Sequence, residues 1–170
     1  MIKSGLQQAQ QEKYNSAKDF MEDILVNVHP ELLEQINYII AAIQALPQDA
    51  YDQRLLPLAE KICNEMHMLY ISEKEVLFPF ITMLAKQNEK SRSCSLFKDS
   101  KVHYTGTLRF INELKTCLKE YSREAGDPLF ISTIIETLQD LEQQHIFLQA
   151  TKDKYLFAQF KSCSGCKTLS

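Results

Sequence analysis

The chain has 170 residues and a formal net charge of -3, with 45% hydrophobic and 24% charged residues. This length holds one domain of ordinary size, and the charge lacks the basic excess that binding to a nucleic-acid backbone requires. With 4 Gly, 5 Pro and no Trp, the composition supplies few turn residues for a many-stranded sheet and favours helices.

Apolar residues recur at steps of three and four along the chain, which predicts long amphipathic helices. The first predicted helix runs from about Lys18 to Leu46, and the second begins near Tyr51 and reaches toward Val76. The segment Leu77-Phe78-Pro79 is expected to kink or end the second helix, because proline lacks an amide donor. The polar stretch at 87–93 is interpreted as an exposed connection.

The second half of the chain repeats this pattern. The third helix is predicted from about Ser95 to Tyr121 and the fourth from about Leu129 to Phe160, with a turn at Gly126-Asp127-Pro128. Short connections favour antiparallel neighbours, so we expect an all-α fold, an up-down antiparallel four-helix bundle built from two helical hairpin repeats. One domain is expected at 1–160, followed by a flexible C-terminal tail at 161–170.

The sequence contains neither a run of about eighteen apolar residues nor the apolar core of a signal peptide, so a cytoplasmic location without membrane contact is expected. Its five cysteines do not suggest a disulfide framework, and most are expected to be reduced. Cys163 and Cys166 have the C-x-x-C spacing of redox disulfides and zinc half-sites. An incidental tail is the favoured interpretation of this pair, with a redox contact as the alternative.

The four histidines are distributed one per predicted helix, at His29, His67, His103 and His145. His103 and His145 lie in heptad-like apolar series, and the other two share apolar faces less regularly, so all four can point inward. Counted from the turns, the two histidines of each hairpin lie at nearly the same height. A single core histidine is ordinarily a packing residue. Four unpaired imidazoles at one level would be costly to bury, and together they predict a site for zinc, iron or manganese.

Four segments carry a resemblance to a known family: MEDILVNVHPELLEQI around His29, HMLYISEKEVLFPFI from His67, VHYTGTLRFINELK around His103 and DLEQQHIFLQATKDKYLF around His145. They resemble the hemerythrin-like superfamily, in particular its di-iron proteins associated with iron–sulfur cluster repair. The resemblance covers residues from about 18 to 158. It implies a non-haem iron protein with the four histidines as ligands, acting in the response to oxygen or nitric oxide by sensing, iron donation or cluster repair.

The glutamates that bridge the irons in that family do not carry over at the expected spacing. Four residues after His67 stands Ile71, and four residues after His145 stands Gln149. An apolar side chain cannot ligate a metal, and a neutral amide is a poor bridge between two cations. A single metal or a weakened di-iron site is therefore the more physical expectation.

Alignment on Leu77-Phe78-Pro79 instead places Glu73 at the glutamate position and Leu69 at the histidine position. Glu73 lies six residues after His67, about 240° around a regular helix, so both cannot face one metal without a bulge. Tyr70 and Asp99 are other donors near the histidines, for which an ordinary surface or supporting role is favoured.

Two functions therefore stay open. The first is a metal-binding protein that holds iron, mononuclear or di-iron, or zinc, and that has iron–sulfur proteins as partners. The alternative is a degenerate, metal-free bundle acting as a protein-interaction or regulatory module, and a homodimer is compatible with either function. An enzyme with acid–base histidines is not favoured, because no carboxylate–histidine pair at catalytic spacing is evident.

Overall fold

The computed structural model describes residues 16–46, 53–87, 94–124 and 128–157, and these residues form four long helices with no strand among them. Three of the helices contain a short π-helical segment, in which hydrogen bonds step by five residues. The long helices are, in order, α1 (Ala17–Asp23), π1 (Ile24–Val28) and α2 (His29–Gln44); α3 (Leu55–Ser72), π2 (Glu73–Leu77) and α4 (Phe78–Gln87); α5 (Cys94–Glu124); and α6 (Pro128–Lys152) with π3 (Asp153–Phe157).

The predicted all-α fold is confirmed, and the helices begin near the predicted residues, while the second helix runs on to Gln87, beyond its predicted end near Val76. The first helix begins at an N-cap, where the Ser16 side chain accepts a hydrogen bond from the Asp19 amide at 3.2 Å. This bond satisfies one of the amides that a helix start leaves unpaired. The predicted tail with Cys163 and Cys166 lies outside the described residues, and so does the side chain of Asp99.

The second helix does not end at Pro79, because it continues as α4, but its regular α-helical hydrogen bonding is interrupted by π2 just before this proline. Segment π2 ends two residues before Pro79, just as π1 ends two residues before Pro30. The Phe78 amide donates five residues back, to the Glu73 carbonyl. A proline ring in a regular helix clashes with the carbonyl four residues earlier, and the wider π turn relieves that clash.

The helices pack around one apolar core that includes most of the side chains predicted to face inward. Aliphatic residues at helical spacing supply it, among them Leu32, Ile36, Ile39, Ile43, Leu58, Ile62, Met66, Leu114, Ile134, Leu138, Leu141 and Leu148. Polar side chains enter the described interior at a few positions: His29, Glu73, Ser100, Thr107, His145 and Lys152. No helix in the four described ranges has the length and apolar character that crossing a membrane requires.

Candidate functional site: a buried ionic cluster

The three π-helical segments adjoin one region of the interior. Segment π1 ends immediately before His29, π2 begins at Glu73, and π3 begins immediately after Lys152. These three residues come from three different long helices and are 4%, 0% and 1% exposed. Because π turns are rare and concentrate at functional sites, their position marks this region as the candidate site.

The Glu73 carboxylate is the centre of the site. Its Oε2 lies 2.9 Å from Nε2 of His29, and its Oε1 accepts a hydrogen bond from Nζ of Lys152 at 2.5 Å. The Ser100 hydroxyl, on α5, approaches the same Oε1 at 3.4 Å. Since an ionised carboxylate only accepts, Nε2 of His29 carries the proton in this contact. One carboxylate thus joins all four long helices.

Charge is balanced within this cluster. Burial alone would raise the pKa of Glu73, but the Lys152 ammonium and the His29 imidazole outweigh it and lower that pKa to about 2. Glu73 is therefore ionised at neutral pH, and its contact with Lys152 is a buried salt bridge. Such a pair is costly to desolvate, and it persists only where geometry and further hydrogen bonds are good, as they are here.

His145 lies beside the salt bridge, close enough to sense the charges of Lys152 and Glu73. It is 2% exposed, and its ring stacks on Tyr104 with centroids 4.9 Å apart. Burial, together with the Lys152 charge, lowers the pKa of His145 to about 3, so the ring is neutral at physiological pH. In the described part of the chain, neither ring nitrogen has a hydrogen-bond partner of normal geometry. A buried imidazole of this kind is an unmet polar group in the core.

The other two histidines take positions outside the Glu73 cluster. His67 is exposed, so the expectation that all four histidines point inward is wrong for this residue. Its neighbour Met66 belongs to the core face, and a step of one residue turns a helix by about 100° away from that face. His103 is half-buried and pairs with Glu65 of α3, with Nδ1 and Oε2 2.7 Å apart.

Three other described residues that the sequence places near the histidines do not join the cluster as ligands. The Tyr70 ring packs against the His29 ring at 4.9 Å between centroids, as a supporting contact. Ile71 is exposed. The Gln149 amide donates to Asp153, one turn further along its own helix, at 3.2 Å.

These residues do not fit a di-iron centre. Among the described residues, no group of three or more His, Cys, Asp or Glu side chains is placed to hold a metal ion. The neighbour of the buried carboxylate is instead the Lys152 ammonium, a cation that cannot ligate. Iron binding by the chain stays a prediction from the resemblance.

An open groove of ≈ 760 Å³ lies between α3 and α5, displaced along both helices from Glu73. Its charged side chains largely pair with one another: Arg54 with Glu120 at 3.0 Å, and Arg109 with Glu113 at 3.8 Å. The groove therefore presents a mixed, mostly neutralised rim rather than a site for a charged ligand.

Sequence reasoning missed Lys152, although a signal for it exists. Glu73 stands four residues before Leu77-Phe78, and Lys152 stands four residues before Leu156-Phe157. The same spacing in both halves marks Glu73 and Lys152 as equivalent positions. No family model, curated protein or solved structure matches the chain, so its function is inferred from its own residues.

Proposed function

We propose that this protein is a metal-free helical bundle of the hemerythrin-like type that acts in the cytoplasm as a protein-interaction or regulatory module. The buried Lys152–Glu73 salt bridge carries the proposal. It places a permanent cation against the buried carboxylate that would otherwise attract a metal. The internal charge is thereby satisfied without a cofactor.

Contacts between the long helices support an up-down antiparallel arrangement. Arg54 pairs with Glu120, and Glu65 pairs with His103. Residue numbers therefore increase along the second long helix while those of the contacting residues on α5 decrease, as in antiparallel helices. The first and second helices follow the same rule, because His29 contacts Glu73 and Asn37 contacts Cys63. The repeated spacing before Leu77-Phe78 and Leu156-Phe157 supports two hairpin repeats.

A stripe of exposed apolar side chains supports the interaction role. It consists of Met68, Ile71, Val76 and Met83, all on the second long helix. Because a π turn advances less than 100° per residue, these steps place the four side chains on one side of that helix. An apolar stripe of ~20 Å on a water-exposed helix is the kind of surface that partner proteins cover.

The proposal is tested in two parts. The first is elemental analysis of protein purified without a chelator or a His-tag, followed by thermal unfolding with and without Fe²⁺ under nitrogen. We expect no bound metal and an unchanged melting temperature. One or two metal ions per chain would refute the metal-free function.

The second part tests the stripe by crosslinking in cells. We expect a protein captured by the wild-type chain to be lost in the Met68→Glu, Ile71→Glu double variant. The same protein should be retained by Val26→Glu, which places one negative charge at an exposed apolar residue on the first helix. Equal capture by all three chains would exclude the stripe as the binding surface.

The second candidate is the iron-binding protein of the oxygen or nitric-oxide stress response, with iron–sulfur proteins as partners. The observation that favours it is His145, a neutral buried imidazole that senses the charges of Glu73 and His29 and whose nitrogens have no hydrogen-bond partner of normal geometry among the described residues. Neutral imidazole and carboxylate are the usual donors to iron and zinc. Ligation by Glu73 Oε1 would require Lys152 to give up its present contact, so the metal analysis above separates the two candidates.

A further inference from the structure

We infer that Lys152 is a built-in cation that fills a latent divalent-metal site, and that this one side chain keeps metal out of the bundle. The inference rests on the proposed metal-free function and names the residue responsible for it. Four observations carry it: the contacts of Glu73, the equivalence of Glu73 and Lys152 in the two halves, the state of His145, and the balance of charge.

The first observation is that two potential metal donors, Glu73 and His29, already meet from separate helices. Glu73 contacts His29 through one oxygen and Lys152 through the other. All three side chains are buried, so water does not compete for the carboxylate. A buried carboxylate in contact with one imidazole supplies only part of the donors that a metal ion needs. The Lys152 ammonium occupies the position beside the carboxylate that a metal cation would take.

The second observation is internal repetition. Glu73 and Lys152 each stand four residues before a Leu-Phe pair, and each adjoins a π segment, π2 and π3 respectively. Their side chains meet in the core at 2.5 Å. Equivalent positions in the two halves thus carry a carboxylate and an ammonium. An acidic residue at both positions would give paired carboxylates from two helices, which is a recurrent donor arrangement of metal sites in helical bundles.

The third observation is that, within the described part of the chain, neither ring nitrogen of His145 has a hydrogen-bond partner of normal geometry, although the ring is buried and close enough to Lys152 to sense its charge. It is on the same helix as Lys152, seven residues earlier, which is two helical turns and therefore the same face. With Lys152 replaced by an acidic residue, Glu73, His29 and His145 would complete a set of two carboxylates and two imidazoles. That set suits Fe²⁺, Co²⁺, Mn²⁺ and Zn²⁺.

The fourth observation is electrostatic. Lys152 neutralises the one carboxylate of the cluster, so a divalent ion would enter a site with no net negative charge and would face a buried ammonium. Like charges at short distance repel strongly where water is excluded. Removal of the ammonium eliminates that repulsion, and its replacement by a carboxylate adds attraction.

The test uses the full chain with Co²⁺ as the probe, because tetrahedral or five-coordinate Co²⁺ has a visible spectrum. Three chains are compared: the wild type, Lys152→Met, which keeps the length and removes the charge, and Lys152→Glu. Equilibrium dialysis and thermal unfolding are measured with and without Co²⁺. We expect no binding by the wild type, weak binding by Lys152→Met and stoichiometric binding by Lys152→Glu. The Co²⁺ affinity should rise by at least about tenfold at each step, the range that one group of a metal site commonly contributes.

Two controls define the site. Lys154→Glu makes the same charge change on the exposed surface two residues away and should leave Co²⁺ binding at the wild-type level. Adding His145→Ala to Lys152→Glu should abolish the visible spectrum. If Lys152→Glu unfolds because two carboxylates repel, recovery of its helical circular dichroism on addition of Co²⁺ supports the inference equally well.

The inference is overturned if Lys152→Met is folded and neither variant binds Co²⁺ more tightly than the wild type. It is also overturned if Lys154→Glu gains as much binding as Lys152→Glu. A failure of the proposed function is distinguishable from both results, because it would show as metal already bound to the wild-type chain.

Discussion

Two histidine–carboxylate pairs link the long helices with nearly the same geometry and in different surroundings. In the buried pair, His29 and Glu73 are 2.9 Å apart and 5% and 0% exposed. In the outer pair, His103 and Glu65 are 2.7 Å apart and 26% and 29% exposed. Contact distance alone therefore says little about energetic weight. If one member of the outer pair is removed, the other can be hydrated by solvent. If one member of the buried pair is removed, the other stays buried without hydration.

The largest expected effect is the loss of the buried cation. Lys152→Ala leaves the Glu73 charge in the core without its ammonium, and we expect the free energy of unfolding to fall by about 3–5 kcal/mol. The matched control is Lys115→Ala, which breaks a 2.7 Å pair with Glu142 that is nearer to water. We expect that variant to lose about 1–2 kcal/mol, because this pair is part-buried and water can still reach the unpaired carboxylate. Urea unfolding measures both, and equal losses would contradict the comparison.

The next effect is a loss of stability in acid. His145 is responsible for this loss in the upper part of the acidic pH range. Burial lowers the pKa of His145 from 6.5 to about 3. Between these values the unfolded chain binds a proton that the folded chain does not, so stability falls as the pH falls. The slope approaches about 1.4 kcal/mol per pH unit for one proton. His145→Phe should flatten the slope of unfolding free energy against pH between 6.5 and 4.5.

Glu73 is responsible for the loss of stability in the lower part of the acidic pH range. Burial raises its pKa, but Lys152 and His29 lower it from 4.5 to about 2. The stability that Glu73 contributes is present above pH 4.5 and is lost as the pH falls toward 2. Glu73→Gln should remove this part of the slope, and His67→Phe, a change at an exposed ring, should leave the slope unchanged in both parts of the pH range. A His67→Phe profile flattened like that of His145→Phe would contradict the assignment.

A smaller difference is expected between the two histidines themselves. His29→Ala removes a hydrogen bond from a buried carboxylate that retains Lys152, and we expect a loss of about 2–3 kcal/mol. His103→Ala should lose about 0.5–1 kcal/mol, because Glu65 turns to solvent. Thermal unfolding of the two variants at pH 7 tests the order. A greater loss from His103→Ala would show that burial does not determine how much each pair contributes to the free energy of unfolding.

The helices and their core faces were predictable from the sequence, because apolar spacing reports burial directly. His145 belongs to such a series and is buried as expected, and His29 is buried although its apolar face is less regular. His103 also belongs to such a series, but it is only half-buried. His67 is next to the core face of its helix rather than on it. Periodicity alone did not distinguish a residue on the core face from its neighbour beside that face.

Periodicity within one helix could not find the Glu73–Lys152 pair, since 79 residues separate its members and a π turn begins at Glu73. The only sequence signal for it was the shared spacing before the two Leu-Phe pairs.

The smallest expected effect sharpens the account of the outer pair. A Cβ at Gly106 would meet the Glu65 carboxylate carbon at 3.1 Å, so Gly106→Ala pushes on the side chain that holds His103. Alanine also favours a helix interior over glycine by about 1 kcal/mol. These terms oppose each other, and we expect Gly106→Ala alone to change stability by less than about 0.5 kcal/mol.

Truncation of the Glu65 side chain removes the steric contact and leaves only the effect of alanine on helix propensity. In a Glu65→Ala background, Gly106→Ala should stabilise the chain by about 0.5–1 kcal/mol, because the Cβ then has space. The four chains form a double-mutant cycle read by urea unfolding. Equal effects of Gly106→Ala in both backgrounds would mean that the Glu65 side chain moves aside without cost. The outer pair would then hold its partners even more loosely than its exposure indicates, and the contrast with the buried pair would widen.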